Sequence, residues 1–172
     1  MKKFFLLFIC LCLIFFPGCS SKVTEENCLD YQSPAFEAQI EATMDDFTFS
    51  ATIYCQEWHE NDNNFRDISI IFSEPDALKS IKAERIGGKI TLNLGNITLE
   101  GDDEYKSLIA FAELFQISAI PTSISLEGEN TRVRLTGHSG ELYSILLDKN
   151  GLPLEIIGKD YKIVVNSFAY TD

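Results

Sequence analysis

The chain has 172 residues, 26 Asp and Glu against 14 Lys and Arg, and a formal net charge of −12 at pH 7. That balance argues against nucleic acid as a partner, because phosphate binding needs clustered Lys and Arg, and it gives no electrostatic pull towards an anionic membrane surface. The length suits a single domain able to bury a core.

Lys2 and Lys3 precede an unbroken apolar run, 4–16, and then Pro17-Gly18-Cys19-Ser20-Ser21. A positive start, an apolar stretch and a small-residue site make a secretory signal. The stretch falls short of the ~20 apolar residues that a spanning helix needs. The segment resembles a bacterial lipoprotein signal, whose lipobox ends in Gly or Ala followed by Cys; here it reads Phe16-Pro17-Gly18-Cys19. The resemblance implies a signal over 1–18 and Cys19 as a lipid-modified N-terminus. Palmitate-type chains, at ~0.8 kcal/mol per buried methylene, would then hold the protein on the outer face of the cell membrane. Ordinary cleavage to a soluble secreted protein is the alternative.

Residues 19–34 are polar and short and read as a tether. Cys10 and Cys12 fall within the signal, which leaves Cys28 and Cys55 in the folded part. Outside the cytoplasm the two can oxidise. They are a possible disulfide or two unpaired thiols, because sequence gives no Cα separation.

From Ala35 the period becomes two. Phe36, Ala38, Ile40, Ala42 and Met44 alternate with polar residues, Asp45-Asp46 turns the chain, and Phe47, Phe49, Ala51, Ile53 and Cys55 alternate again. Two such runs around a short turn predict a hairpin with one buried face. It sets Cys55 opposite Pro34 and Ala35. A polar loop over 57–66 leads to a strand through Ile68, Ile70 and Phe72. A helical turn over 77–81 and short strands over 83–86, 89–94 and 97–100 follow, divided by Gly87-Gly88 and Gly95-Asn96.

Residues 102–115 form the one good helix. Asp102 or Asp103 can cap it, and Leu108, Phe111, Ala112 and Phe115 give an apolar face with Ile109 beside it, while Lys106 and Glu113 lie opposite. Strands are then predicted over 122–127, 131–136, 141–147, 152–157 and 161–168. In the last ones both parities are apolar, as in strands covered on both faces or lining a cavity. The predicted class is α+β, mostly β: a curved antiparallel sheet of about ten short strands packed on one main helix, in a single domain over 35–172.

The order of these pieces carries a family resemblance. A Phe-x-Ala-x-Ile-x-Ala-Thr hairpin opens the domain, Phe-Ser-Glu-Pro-Asp-Ala-Leu-Lys-Ser-Ile (72–81) follows a strand, and Gly-Gly-Lys-Ile-Thr-Leu-Asn-Leu-Gly (87–95) comes next, before the helix and the closing strands. The chain resembles the lipoprotein-carrier superfamily of LolA and LolB, and more narrowly clostridial lipoproteins that include a spore-germination lipoprotein. The resemblance implies a half-open β-barrel over a helix, with an apolar cavity for an acyl chain. The germination relative implies another use, binding a partner protein.

Catalytic chemistry is weakly signalled. His59 and His138 sit in polar turns with no nucleophile at a recognisable spacing, and Gly137-His138-Ser139-Gly140 lacks the spacing of a nucleophile elbow. Asp62-Asn63-Asn64 departs from the EF-hand series at Arg66, Asp67 and Ser73. Cys and His spacing does not fit zinc. Glu57, Glu60 and Asp62 near Trp58 do not define a carboxylate pair. The expectation is therefore a non-enzymatic binding module without metal or cofactor. Its membrane contact is through the N-terminal lipid, and its ligand is an acyl chain or hydrophobic segment. The alternative is a protein-interaction lipoprotein that scaffolds a cell-envelope or spore cortex enzyme. The candidate cavity lining is Phe47, Phe49, Ile53, Ile70, Phe72, Leu92, Leu108, Phe111, Phe115, Leu146 and Val165, each of which plain core packing could equally explain.

Overall fold

The computed structural model describes residues 23–57, 66–101 and 105–171. The lipobox with Cys19, the loop bearing Trp58, His59 and Asp62, and the cap candidates Asp102 and Asp103 lie outside them. Eleven strands follow one another: β1 (Phe36–Met44), β2 (Phe47–Cys55), β3 (Ile68–Glu74), β4 (Ile81–Ile86), β5 (Lys89–Leu94), β6 (Ile97–Glu100), β7 (Ala119–Glu127), β8 (Asn130–Gly137), β9 (Leu142–Leu147), β10 (Pro153–Ile157) and β11 (Tyr161–Tyr170). A 3-10 turn, Asp30–Gln32, precedes β1, and one α-helix, α1 (Lys106–Glu113), separates β6 from β7. The expectation of a mostly β, antiparallel, open sheet with a short helix is met, with one strand more than expected.

All strands belong to one antiparallel sheet in the order β6-β5-β4-β3-β2-β1-β11-β10-β9-β8-β7. The first six walk to one edge in chain order. The segment carrying α1 then crosses to the opposite edge, and the last five walk back until β11 pairs with β1. The terminal strands are thus central, and the sheet stays unclosed. The first hairpin has the predicted turn, with Met44 opposite Phe47 and a positive φ at Asp45. Cys55 pairs with Phe36 rather than with Pro34 and Ala35.

Period-two alternation sorts the faces as expected. Phe36, Ala38, Ile40 and Ala42 of β1 face the core with Phe49, Ala51, Ile53 and Cys55 of β2. Val133, Leu135, Ile145, Leu147, Ile156 and Ile163 continue that face across β8 to β11. Helix α1 packs against β3 and β4. Aromatic rings fill the ends of the core. Phe49 meets Phe72 at 5.3 Å and Phe111 edge-on at 4.8 Å, while Phe36 bridges Phe115 at 5.8 Å and Phe168 at 4.9 Å.

Two expectations are corrected. The stretch read as a tether is part of the body from Val23 onwards. Val23, Cys28 and Tyr31 are buried, and Tyr31 stacks edge-on to Phe168 at 6.1 Å. The cause is Arg66, a buried guanidinium that donates to the carbonyls of Gln32, Pro34 (2.8 Å) and Gln56 (2.6 Å) and so staples this segment to the end of β2. The helix is also turned relative to its predicted face. Ile109 and Ala112 are its fully buried residues, while Leu108 and Phe111 are only partly buried. Glu113, expected to face solvent, pairs with buried Arg85 of β4, and Gln116 lies on the same stripe. Positions 109, 112, 113 and 116 are i, i+3, i+4 and i+7, so the stripe is regular but its lower half is polar.

Candidate functional site

Most of the predicted cavity lining is core. Ile53, Ile70 and Phe115 are fully buried, and Phe49, Phe72, Leu92 and Val165 nearly so. Leu108 and Phe111 pack against the same cluster. Phe47 lies at the end of its hairpin and is 46 % exposed. Leu146 is on the outer face, because Ile145 and Leu147 take the buried parity; its neighbours across the ladders are Arg132 and Glu155. None of the eleven lines any of the hollows described next.

A hollow of about 490 Å³ beside Leu29, Gln32, Arg66 and Gln116 has a largely polar lining, whereas apolar space lies at one end of the β9–β10 pair. That ladder ends at Ser144 opposite Ile157, while Leu142 and Tyr143 still pair with Thr136 and Leu135 of β8. Residues 142–143 and 158–159 therefore have no strand partner across from one another, which leaves a slot. Two hollows of about 440 Å³ each adjoin it. One is lined by Leu114 just beyond α1, Leu142, Tyr143 and Tyr161, with Glu141 and Asp160 at its margin. The other is lined by Leu142, Tyr143, Ile157 and Leu135, with Arg134 and Lys159. Leu142, Tyr143 and Lys159 are common to both. Each volume lies in the ~300–1,000 Å³ range of small-ligand sites.

Local chemistry explains the slot. Gly158 ends β10 and donates its N–H to the Tyr161 carbonyl at 3.0 Å. A Cβ there would collide with the Tyr161 ring and hydroxyl, so only glycine lets that ring lie flat against the turn. Tyr161 also meets Phe111 edge-on at 6.5 Å, which ties the slot to the helix. Burial, with Tyr143 nearby, pushes the Tyr161 phenol well above its ordinary pKa. Burial, then the Glu141 carboxylate, pushes Tyr143 the same way. Both phenols are neutral at physiological pH, so neutral rings and leucines line the hollow together with the charged Glu141, Lys159 and Asp160. Leu142, 70 % exposed, is an apolar side chain at the mouth.

Elsewhere, polar groups hold the fold together. The guanidinium of Arg85 reaches Glu113, the Arg66 carbonyl (3.4 Å) and Gln116 (3.4 Å), and Gln116 donates to the Cys55 sulfur at 2.9 Å. Cys28 and Cys55 are both buried free thiols, and Cys28 donates to the Glu25 carbonyl at 3.5 Å. Burial raises both thiol pKa values, against the pull of Arg66 on Cys55, so neither is an activated nucleophile. On the outer face Arg132 bridges Glu127 (2.6 Å) and Glu155 (3.1 Å), and Glu155 also accepts from Lys162 at 2.8 Å. Burial would raise the Glu155 carboxyl, but these cations outweigh it and hold its pKa low. Ser118 and His138 come within 3.0 Å of each other, a proximity the sequence did not signal, and both are exposed.

Sequence reasoning missed Arg85, although the alternation of Ile81, Ala83 and Arg85 puts it on the buried parity. It also missed Tyr143 and Tyr161, whose signal was the doubled apolar parity of the last strands.

No protein-family model and no curated protein matches the chain. Solved structures do resemble it. An uncharacterised conserved protein from Thermus thermophilus aligns at a TM-score of 0.56 and 14 % identity, over 86 % of this chain and 87 % of that one. MucB aligns at a TM-score of 0.50 and 10 % identity, over 88 % of this chain; the chain spans 60 % of the MucB chain. A LolA superfamily protein, NE2245 from Nitrosomonas europaea, aligns more loosely, at 0.46 and 10 % identity over 88 % of this chain and 95 % of that one. At these identities the first two show a shared fold.

Proposed function

We propose that the protein is a lipoprotein, tethered through Cys19 to the outer face of the cell membrane, that binds an acyl chain or hydrophobic segment and performs no catalysis. The observation that carries the binding reading is the slot: hollows with mainly apolar lining opening between β9 and β10, walled by Leu114, Leu142, Tyr143 and Tyr161. The LolA-like order of elements in the sequence and the open half-barrel support it. The lipobox supports the tether.

Two measurements test it. Labelling of cells with radioactive palmitate should mark the protein and fail for Cys19→Ala. The domain should take up a fluorescent fatty acid saturably at micromolar concentration, and Leu142→Asp, a change at an exposed position, should weaken uptake at least tenfold without lowering thermal stability. No uptake by the unaltered domain removes the carrier reading.

The second reading, a scaffold for a cell-envelope or spore cortex enzyme, is favoured by edge strand β7. Its Ile120 and Leu126 are 64 % and 71 % exposed, and such an edge can accept a partner's strand. Retention of a membrane protein by the native domain but not by Ile124→Pro would support it.

A further inference from the structure

The slot has an uneven distribution of charge. Among the residues lining its outer hollow, the one beside Leu135 and Ile157 (the inner being beside Leu114 and Tyr161), the charged ones are Arg134 and Lys159, both cationic. Both side chains are exposed, and among the described residues neither pairs with an acid. This is unexpected on a chain of net charge −12. Four other cations of the sheet are engaged, Arg132 with Glu127 and Glu155, Lys162 with Glu155, Lys82 with Glu84 and Arg85 with Glu113, while Lys89 at the start of β5 lies away from the slot.

The nearby acids are placed apart from this pair. Glu141 and Asp160 line the inner hollow only. The Glu141 carboxylate is turned back over the β8–β9 turn, 2.6 Å from where a Cβ on Gly137 would stand. The apolar walls and the two cations therefore meet along the outer side of the slot, where Leu142, Tyr143 and Lys159 are shared between the hollows. Apolar walls select a hydrocarbon tail, and unpaired guanidinium and ammonium groups beside them select an anionic head through charge-assisted hydrogen bonds.

We infer that the occupant of the slot is a single-chain anionic amphiphile, its tail against Leu142, Tyr143 and Tyr161 and its phosphate or carboxylate between Arg134 and Lys159. The inference rests on the proposed acyl-binding reading and adds the sign of the head group. It is compatible with the acidity of the whole molecule. Screening confines the distant negative charge to about 8 Å at physiological ionic strength, whereas the two cations contact the ligand. Selection then acts on single lipid molecules.

The test uses the full chain in neutral detergent micelles and two photoactivatable lysolipids of equal chain length, one with a phosphoglycerol head and one with a phosphocholine head. Cross-linking is quantified and mapped by peptide mass spectrometry. The anionic probe should label residues 137–161 roughly five- to tenfold more than the zwitterionic one, with the difference shrinking at high salt. Arg134→Gln combined with Lys159→Gln should abolish that preference. Equal labelling of the native protein by both probes, or a preference that survives in the double variant, overturns the inference and leaves acyl binding standing. Labelling of this region by neither probe overturns acyl binding itself.

Discussion

Arg85 is a charged side chain that strand parity alone places on a buried face. It lies on the buried face of β4, 5 % exposed in its side chain, while its partner Glu113 is 33 % exposed. The two are therefore unequal. Removing Glu113 leaves a buried cation without its counter-charge, whereas removing Arg85 leaves a carboxylate that water can still reach. Glu113→Ala should cost about 2–3 kcal/mol, the lower side of what breaking a buried pair costs because Glu113 is partly hydrated. Arg85→Met should cost about 1 kcal/mol or less, since apolar replacement of a buried ion is often near neutral. Urea unfolding of the two variants checks the asymmetry, and equal losses would contradict it. Leu146 is a parallel case. Its strand is apolar on both parities, so composition could not say which residues face inward, and only pairing with Arg132 and Glu155 places it outside.

The hairpins were legible because alternation and turn residues agree: β1 and β2 lie where the pattern put them, joined through Asp45-Asp46. The helix was legible in position but not in rotation, because the polar half of its buried stripe looks like a solvent face unless the partner on β4 is known. The N-terminal segment was not legible at all. Its polar composition argued for a tether, and the long-range bonds of Arg66 to its carbonyls and the packing of Tyr31 on Phe168 are not visible in composition. The slot between β9 and β10 was equally hidden, since where a ladder ends is a matter of register. Its integrity depends on the β10–β11 turn. Gly158→Ala would push the Tyr161 ring off the turn and should destabilise the domain by about 1–3 kcal/mol. The same change should lower fatty-acid uptake, while Gly128→Ala in the β7–β8 turn, where a Cβ meets open space, should leave uptake unchanged. Thermal unfolding and uptake measured on both variants check this.

Among the described residues the molecule is one open antiparallel sheet, and α1, on the segment that connects its two edges, packs against β3 and β4. The sequence supplied the class of fold and the expectation of an apolar concavity, but placed the concavity beneath the helix. In the structure Ile53, Ile70 and Phe115 are buried in the core, and the proposed slot adjoins Leu142, Tyr143 and Tyr161. A backbone-amide NMR titration of the domain with a medium-chain fatty acid decides between the two places. Binding in the slot predicts progressive shifts at Leu114, Leu142, Tyr143, Lys159 and Tyr161, with Ile53 and Ile70 unmoved. Shifts centred on Ile53, Ile70 and Phe72, or none at saturating ligand, would refute binding in the slot.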